Sequence, residues 1–356
     1  MSQIAPALLA WFAEHGRHDL PWQHPRSAYR VWLSEIMLQQ TQVATAKPYF
    51  ERFVAALPSL DDLAAAEQDQ VLALWSGLGY YSRARNLHRA AQICIAQHDG
   101  ELPRDFEALS ALPGIGRSTA GAILAQAHGL PIAILDGNVK RVLSRYFGVD
   151  GWPGSTATSR TLWNHAEAQT PDTQVADYTQ AIMDLGATVC VRSRPHCARC
   201  PLQSECVASR DGLTTQLPAR KPGKAIPTRS TCMLIVRDEH GRVLLQRRPP
   251  SGVWASLWSL PEAIDRDLTS RILVGLGGAG ATLQAMPAFT HTFSHFHLQV
   301  QPLLAAVRQQ DAVADSPDQR WCDERAIAAL GLPAPVRKLL SGLAPAPEND
   351  LFATFP

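Results

Sequence analysis

The stretch "LPARKPGKAIPTR", residues 217–229, divides the chain into two parts that cannot share one periodicity. Its three prolines and four basic residues suit an extended linker. Before it, residues 1 to about 210 read as helical runs separated by short Pro/Gly breaks, among them "LPSLDDLA", "GLPIAILDGN" and "QTPDTQ". After it the runs are short and β-rich. A chain of 356 residues has room for two domains. The expected layout is a mainly α domain over 1–216, a linker over 217–229, an α+β domain over 230–344 and a tail over 345–356.

In the second domain "TCMLIVRD" and "VLLQRR" are strand patterns joined by "EHG", a hairpin signal. In "FHLQVQPLL", Phe296, Leu298 and Val300 alternate with His297, Gln299 and Gln301, the period of a half-buried strand. "DERAIAALGL" and "APVRKLLSGL" read as short helices.

Charge is balanced, with 33 Lys and Arg against 32 Asp and Glu, so any polyanion must be met by a local patch. One such patch runs from Cys190 to Lys224, where seven basic residues face two acidic ones. The N-terminus, "MSQIAPALLAWFAEHGR", has no basic leader and reads as an amphipathic helix. The most apolar stretch, 118–135, is interrupted by Gln126, His128 and Pro131, so no membrane span and no membrane partner is expected. The expected location is the cytoplasm.

Four of the seven cysteines crowd into "CVRSRPHCARCPLQSEC", as Cys190, Cys197, Cys200 and Cys206. In an intracellular chain such a crowd points to a metal. Zinc and iron–sulfur clusters both use four cysteine ligands. Zinc ribbons come as two C-x-x-C pairs, and only one is present, so the uneven spacing suits a compact cubane cluster better.

Two further stretches carry chemistry. "VWLSEIMLQQTQ", residues 31–42, sets Glu35 in a run that otherwise reads as a buried helix. Its neighbours one turn away are Val31, Trp32, Leu38 and Gln39, none of them cationic. Such an acid is either a peripheral partner of a residue like Arg30 or is kept for chemistry. "LPGIGRSTAGAIL", residues 112–124, places Gly114 and Gly116 between two helical runs, at about 106–125 in all. Glycines there permit close approach, and the second helix opens with outward N–H groups able to hold a phosphate oxygen. A plain helix turn would use the same residues.

Hairpin and cysteine array, in this order, resemble the helix-hairpin-helix DNA glycosylases with a 4Fe–4S cluster loop. "LPWQ", "YRVWLSEIMLQQTQVATAKPYFERF", "LWSGLGYYSRARNLHRAA", "ILDGNVKRVLSR", "QAIMDLGATVC" and "HTFSHFHL" look like the adenine-specific, MutY-type branch, over nearly the whole chain. The resemblance implies a two-lobed helical core with a cluster loop at 190–206, followed by a Nudix-like domain. It implies a hydrolase of N-glycosyl bonds that removes adenine opposite 8-oxoguanine or guanine in double-stranded DNA, in base excision repair. It implies one 4Fe–4S cluster on the four cysteines, and a monomer is expected.

Residue by residue, the resemblance makes Glu35 the catalytic acid. Adenine leaves poorly as an anion, and an acid buried among apolar groups keeps its proton to high pH. Once ionised, the same group can take a proton from water. Asp136, which also reads as a helix N-cap, is the anion that stabilises oxocarbenium character, and Asn138 bonds within this site. A base in a duplex must first be flipped out. Gln39 and Gln40 then lie near the vacated space, Leu78 and Tyr80 act as a wedge, and Leu112, Pro113, Gly114, Ile115, Gly116 and Ser118 form the DNA-holding hairpin. Trp22, Leu38, Gln180 and Met183 line the adenine pocket. Bifunctional relatives carry a lysine where this chain has Ser118, and a hydroxyl cannot form an imine, so an abasic product without strand cleavage is expected.

"GRVLLQRRPPSGVWASLWSLPE" begins like a Nudix fold. Past Glu262 it offers Asp265 and Asp267 but no glutamate-rich helix for magnesium, so a reader rather than a nucleotide hydrolase is expected. Phe293, Ser294 and His295 match the loop that senses 8-oxoguanine in this family. Alternation also sets His295 and His297 on one strand face, which leaves a zinc site open. Two rivals remain: a bifunctional endonuclease III-like glycosylase and lyase, and a non-catalytic iron–sulfur DNA-binding protein.

Overall fold

The computed structural model describes residues 3–223, 225–264, 266–275, 281–307 and 317–343. Lys224, Asp265 and the expected tail at 345–356 lie outside the described residues. The chain divides into two compact units: Met1–Ala65 with Asn86–Gly223, and Ala66–Arg85 with Lys224–Pro356.

The helices run in chain order α1 (Ala5–His15), α2 (Ala28–Leu38), α3 (Val43–Ala56), α4 (Leu60–Ala65), α5 (Gln68–Leu74), α6 (Ser82–Gln97), α7 (Phe106–Ser110), α8 (Arg117–His128), α9 (Gly137–Phe147), α10 (Thr156–Gln169), α11 (Val175–Asp184) and α12 (Val207–Arg210). A 3-10 turn, Pro21–Gln23, precedes α2. None of the described helices is long and apolar enough to cross a membrane.

Local sequence sets the starts of these helices. Ser27 caps α2 through the Arg30 N–H, and Asp105 caps α7 through the Ala108 N–H. Asp136 caps α9 through the Val139 N–H, as its position before a helical run led one to expect. On α9 the buried apolar residues are Val139, Val142, Leu143 and Tyr146, spaced three and four apart, which makes one apolar stripe. That stripe joins Leu8, Phe12, Ala122, Leu135, Leu162, Ile182 and Leu185 in the core of the first unit. Each fully buried leucine or isoleucine there contributes roughly 1.5–3 kcal/mol. α8 packs against both α2 and α11, so it is the element that carries the acid and hairpin segments on one scaffold.

The second unit is built on a sheet ordered β3-β2-β1-β7-β5, with β4 on β1, β6 on β7 and β8 on β2. Its strands are β1 (Thr228–Arg237), β2 (Val243–Arg247), β3 (Trp258–Ser259), β4 (Glu262–Ala263), β5 (Gln284–Ala285), β6 (Phe289–Thr292), β7 (His297–Ala306) and β8 (Gln319–Cys322). Helices α13 (Arg266–Gly275), α14 (Glu324–Ala328) and α15 (Ala334–Ser341) complete it. β1 and β2 form the expected antiparallel pair, and β1 runs parallel to β7 from Thr228↔His297 to Arg237↔Ala306. Met233 and Ile235 enter one core and Leu234 and Val236 the other, so β1 is buried on both faces and reads as a continuous apolar run. On β7, Leu298 and Val300 are buried while Gln299 is exposed, the alternation expected of it.

Residues 66–85 belong to the second unit, although the sequence places them inside a continuous 1–216 domain. The reason is a set of long-range bonds. The Asp69 carboxylate accepts both Arg247 guanidinium nitrogens at 3.0 Å and the Trp258 indole N–H at 3.1 Å. The Tyr81 hydroxyl donates to the Leu332 carbonyl at 2.9 Å, and Arg85 to the Ala255 carbonyl at 2.7 Å.

Candidate active site

Glu35 lies in the last turn of α2, with Val31, Trp32, Ile36 and Met37 buried around it. Glu35 as a residue is half-buried. Desolvation, then the charge of Asp136, push its pKa from 4.5 up to about 8, and a hydrogen bond from Gln126 works against them. Glu35 makes no ion pair among the described residues; the Arg30 guanidinium instead donates to the Pro21 carbonyl and lies over the Phe50 ring. The peripheral salt bridge weighed for Glu35 is therefore absent from the described residues.

Asp136 is likewise held above its ordinary carboxylate value. Burial raises its pKa as well, but four influences oppose the rise: the Val139 and Asn138 backbone N–H groups, the Arg141 charge and the Asn138 side chain. The Val139 N–H is 2.8 Å from Oδ1 and the Asn138 amide 3.2 Å from Oδ2. Asp136 thus has more donors favouring its charged form than Glu35, which has the Gln126 amide alone.

Asn138 is itself held. Its Oδ1 accepts from Arg141 at 2.8 Å, and Arg141 also donates to the Gly186 carbonyl at 2.6 Å and the Cys190 carbonyl at 2.7 Å. Gly186 is the second residue of a short π-helical turn, Leu185–Val189, closed by the Cys190 N–H on the Leu185 carbonyl. A Cβ at Gly186 would come within 2.6 Å of Asn138 Cβ, so only glycine lets the two segments meet.

In the hairpin, Leu112 and Ile115 are buried, Pro113 half-buried, and Gly114 and Gly116 exposed. What this turn can offer a phosphate is therefore backbone. Gly114 has φ +79°, the conformation expected of it. Gly116 has φ −92° and caps α8 with no side-chain bond, leaving the first N–H groups of that helix without intrahelical partners. Ser118 turns inward: its hydroxyl accepts the Leu135 N–H at 3.0 Å and so braces the residue before Asp136. Arg117 stacks on Trp163 at 3.8 Å and pairs with Glu167.

Gln39 ends α2, and exposed Gln40 follows with φ +58°. Trp22 is buried against Phe50 at 5.4 Å, on the turn packed on α2, and Leu38 is half-buried. Gln180 and Met183 lie on α11, which also packs on α8. The Gln180 amide donates to Asp184 at 2.7 Å, and Asp184 is gripped by the Arg17 backbone and guanidinium at 2.6–2.9 Å. Gln180 is thereby fixed with its carbonyl oxygen as the free acceptor.

The four cysteines are free thiols that line one cavity together with Arg145, Gln203 and Thr214. Arg145 is buried and donates to the Cys190 sulfur at 3.3 Å and to the Leu217, Val191 and Arg192 carbonyls at 2.8–3.2 Å. A lone zinc ion would need its sulfurs about 2.3 Å from one point. Among the described residues no group of three or more His, Cys, Asp or Glu is placed to hold a metal ion. A shared cavity walled by soft sulfur donors and one guanidinium fits a larger group. Burial and the neighbouring thiols push the Cys200 thiol up to about 11, a cost that a cationic iron core would offset.

In the second unit, Leu78 is buried and Tyr80 is exposed with φ +48°. Phe293, Ser294 and His295 form the tight turn between β6 and β7, closed by the Phe293 N–H on the Phe296 carbonyl at 2.9 Å. His295 thus sits in the turn, not on the strand face with His297, and no described His group is placed to hold zinc. Phe293 stacks on Phe296 at 4.5 Å, and Trp254 lies 5.3 Å from Phe293. Tyr80, Arg85, Arg229, Trp254 and the 293–295 turn line one cavity. Glu262 is paired with Arg248.

Sequence reasoning missed Gln126, Arg141, Asp184 with Arg17, and Arg145. Gln126 carried a signal, a polar residue in the apolar run "AGAILAQAHG"; the others are partners at long range with none.

Residues 33–168 match the model of the HhH-GPD superfamily of base excision DNA repair proteins, and residues 232–342 that of the NUDIX domain. The adenine DNA glycosylase of Buchnera aphidicola (subsp. Acyrthosiphon pisum, strain APS) is 37% identical over 334 residues, covering 94% of this chain and 95% of its own. The human adenine DNA glycosylase is 34% identical, covering 94% of this chain and 72% of its own. Among solved structures, a thermostable thymine-DNA glycosylase superposes with a TM-score of 0.53 at 27% identity, over 58% of this chain and 95% of its own. With a helix-hairpin-helix core and a Nudix domain, the chain belongs to the adenine DNA glycosylases of base excision repair.

Proposed function

We propose that this glycosylase removes adenine opposite 8-oxoguanine, and opposite guanine, by acid-assisted hydrolysis at Glu35. The observation that carries this reading is the unequal carboxyl pair. Glu35 holds its proton at neutral pH, and Asp136 is surrounded by donors that favour its charge.

Protonation of the purine ring lets adenine depart neutral, as the N-glycosidic bond breaks and its electron pair goes to the base. Asp136 stabilises the positive charge left on the sugar, held in place by Asn138 and Val139. Glu35, now ionised, accepts a proton from the water that adds to the sugar carbon, and the acid is restored. Ser118 has no amine to trap the sugar, so the product is an abasic site in an intact strand.

Recognition is divided. Gln180, with its free carbonyl aimed by Asp184, suits the amino group of adenine. The Gly114–Gly116 backbone suits a phosphate, and the 293–295 turn with exposed Tyr80 suits the opposite, oxidised base. Cys190, Cys197, Cys200 and Cys206 would hold a 4Fe–4S cluster, whose part here is to stiffen the basic loop. The protein acts as a monomer on double-stranded DNA in the cytoplasm.

The test is incubation with a duplex bearing a single A:8-oxoguanine pair. Strand breaks only after alkali, with no covalent DNA trapped by borohydride, are expected. Strands that survive alkali intact would overturn the reading.

A further inference from the structure

Gln126 sits on α8 with 5% of its surface exposed, among buried Ala122, Ile123 and Ala125. A side-chain amide in such surroundings is costly unless bonded. Its one hydrogen-bond partner among the described residues is Glu35: the Nε2 atom lies 3.4 Å from Glu35 Oε1. An amide N–H can only donate, so the oxygen that it meets must be an acceptor.

We propose that Gln126 is a positioning residue for the proton of Glu35: its amide reserves Oε1 as an acceptor, keeps the proton on Oε2, and steadies the carboxylate left when that proton departs. The inference rests on the reading of Glu35 as the acid. It extends that reading, because an acid that must give its proton away and take one back needs a partner that suits both states. A buried acid without such a partner holds its proton too tightly to complete the cycle.

Other charges do not account for this. On α8, Arg117 is engaged by Glu167 and Trp163, and His128 is influenced by Arg104 and Glu101. On α3, Lys47 pairs with Asp19, Arg52 lies over Tyr49 and Glu51 is exposed. The 3-10 turn before α2 carries no charge, and Arg30 of α2 donates to Pro21. Among the described residues the one charge acting on Glu35 is that of Asp136, which favours the protonated form, and Gln126 is the group that opposes it.

The test is the pH profile of single-turnover adenine excision by the intact protein and by Gln126→Met, which keeps the volume and removes the donor. The alkaline limb is expected to move up by about one pH unit, with the maximal rate several-fold lower. A second readout is thermal unfolding of both proteins from pH 6 to 9. The variant is expected to fall further below its parent as pH rises through about 8. Superimposable limbs together with a pH-independent difference in unfolding would make Gln126 a packing residue and overturn the inference. Failure of the underlying reading is distinguishable, since Glu35→Gln would then excise adenine at the parental rate.

Discussion

Replacing Glu35 by glutamine should make the protein more stable, by an amount that grows with pH. In the unfolded chain this carboxyl ionises near 4.5, whereas in the fold burial and Asp136 hold its proton up to about 8. Below pH 4.5 both states carry the proton and the group costs nothing. Between the two values unfolding releases a proton, so stability falls by about 1.4 kcal/mol per pH unit. Above about 8 the whole cost, at most roughly 5 kcal/mol, is incurred. Glutamine stays neutral throughout and still offers an oxygen to the Gln126 amide, so it resembles the protonated acid in shape. From pH 5.5 to 7.5 the variant should gain roughly 3 kcal/mol on its parent. For a unit of this size that is on the order of 6 °C or more in melting temperature. Thermal unfolding of both proteins across that range measures it. A difference that does not change with pH would refute the reasoning, because the acid would then titrate alike in folded and unfolded chains.

Other substitutions probe the parts around that acid. Asp136→Asn keeps a helix cap but removes the anion, so single-turnover excision should fall about 100-fold or more, while the alkaline limb moves down because the like charge on Glu35 is gone. Gly186→Ala drives a Cβ to within 2.6 Å of Asn138 and should slow excision with little change in DNA affinity, read by rate against binding isotherm. Arg145→Met leaves the Val191, Arg192 and Leu217 carbonyls without their donor, and should lower both bound iron and melting temperature, measured by iron assay and calorimetry.

What the sequence made legible was whatever depends on near neighbours. The change of period at the linker marks where helices give way to strands, Asp136 before a helical run marks a cap, and alternation in "FHLQVQPLL" marks which side of β7 is buried. Glu35 was legible as an acid with no local cation. Partners set by the tertiary fold were not. Gln126 lies 91 positions from Glu35, and Arg141 reaches Cys190 only because a π-helical turn delivers it. The transfer of residues 66–85 to the second unit depends on Asp69 meeting Arg247, 178 positions away, and no pattern in either stretch names the other. His295 looked like a strand residue because alternation continues through a turn that the Phe293–Phe296 bond closes.

The central claim is that one proton, held on Glu35, makes adenine a leaving group. The most direct measurement is the single-turnover rate of adenine release from an A:8-oxoguanine duplex by the protein and by its Glu35→Gln variant at neutral pH, with DNA binding checked in parallel. The account requires release by the variant to fall by about 100-fold or more while the duplex is still bound. Release at the parental rate would contradict it.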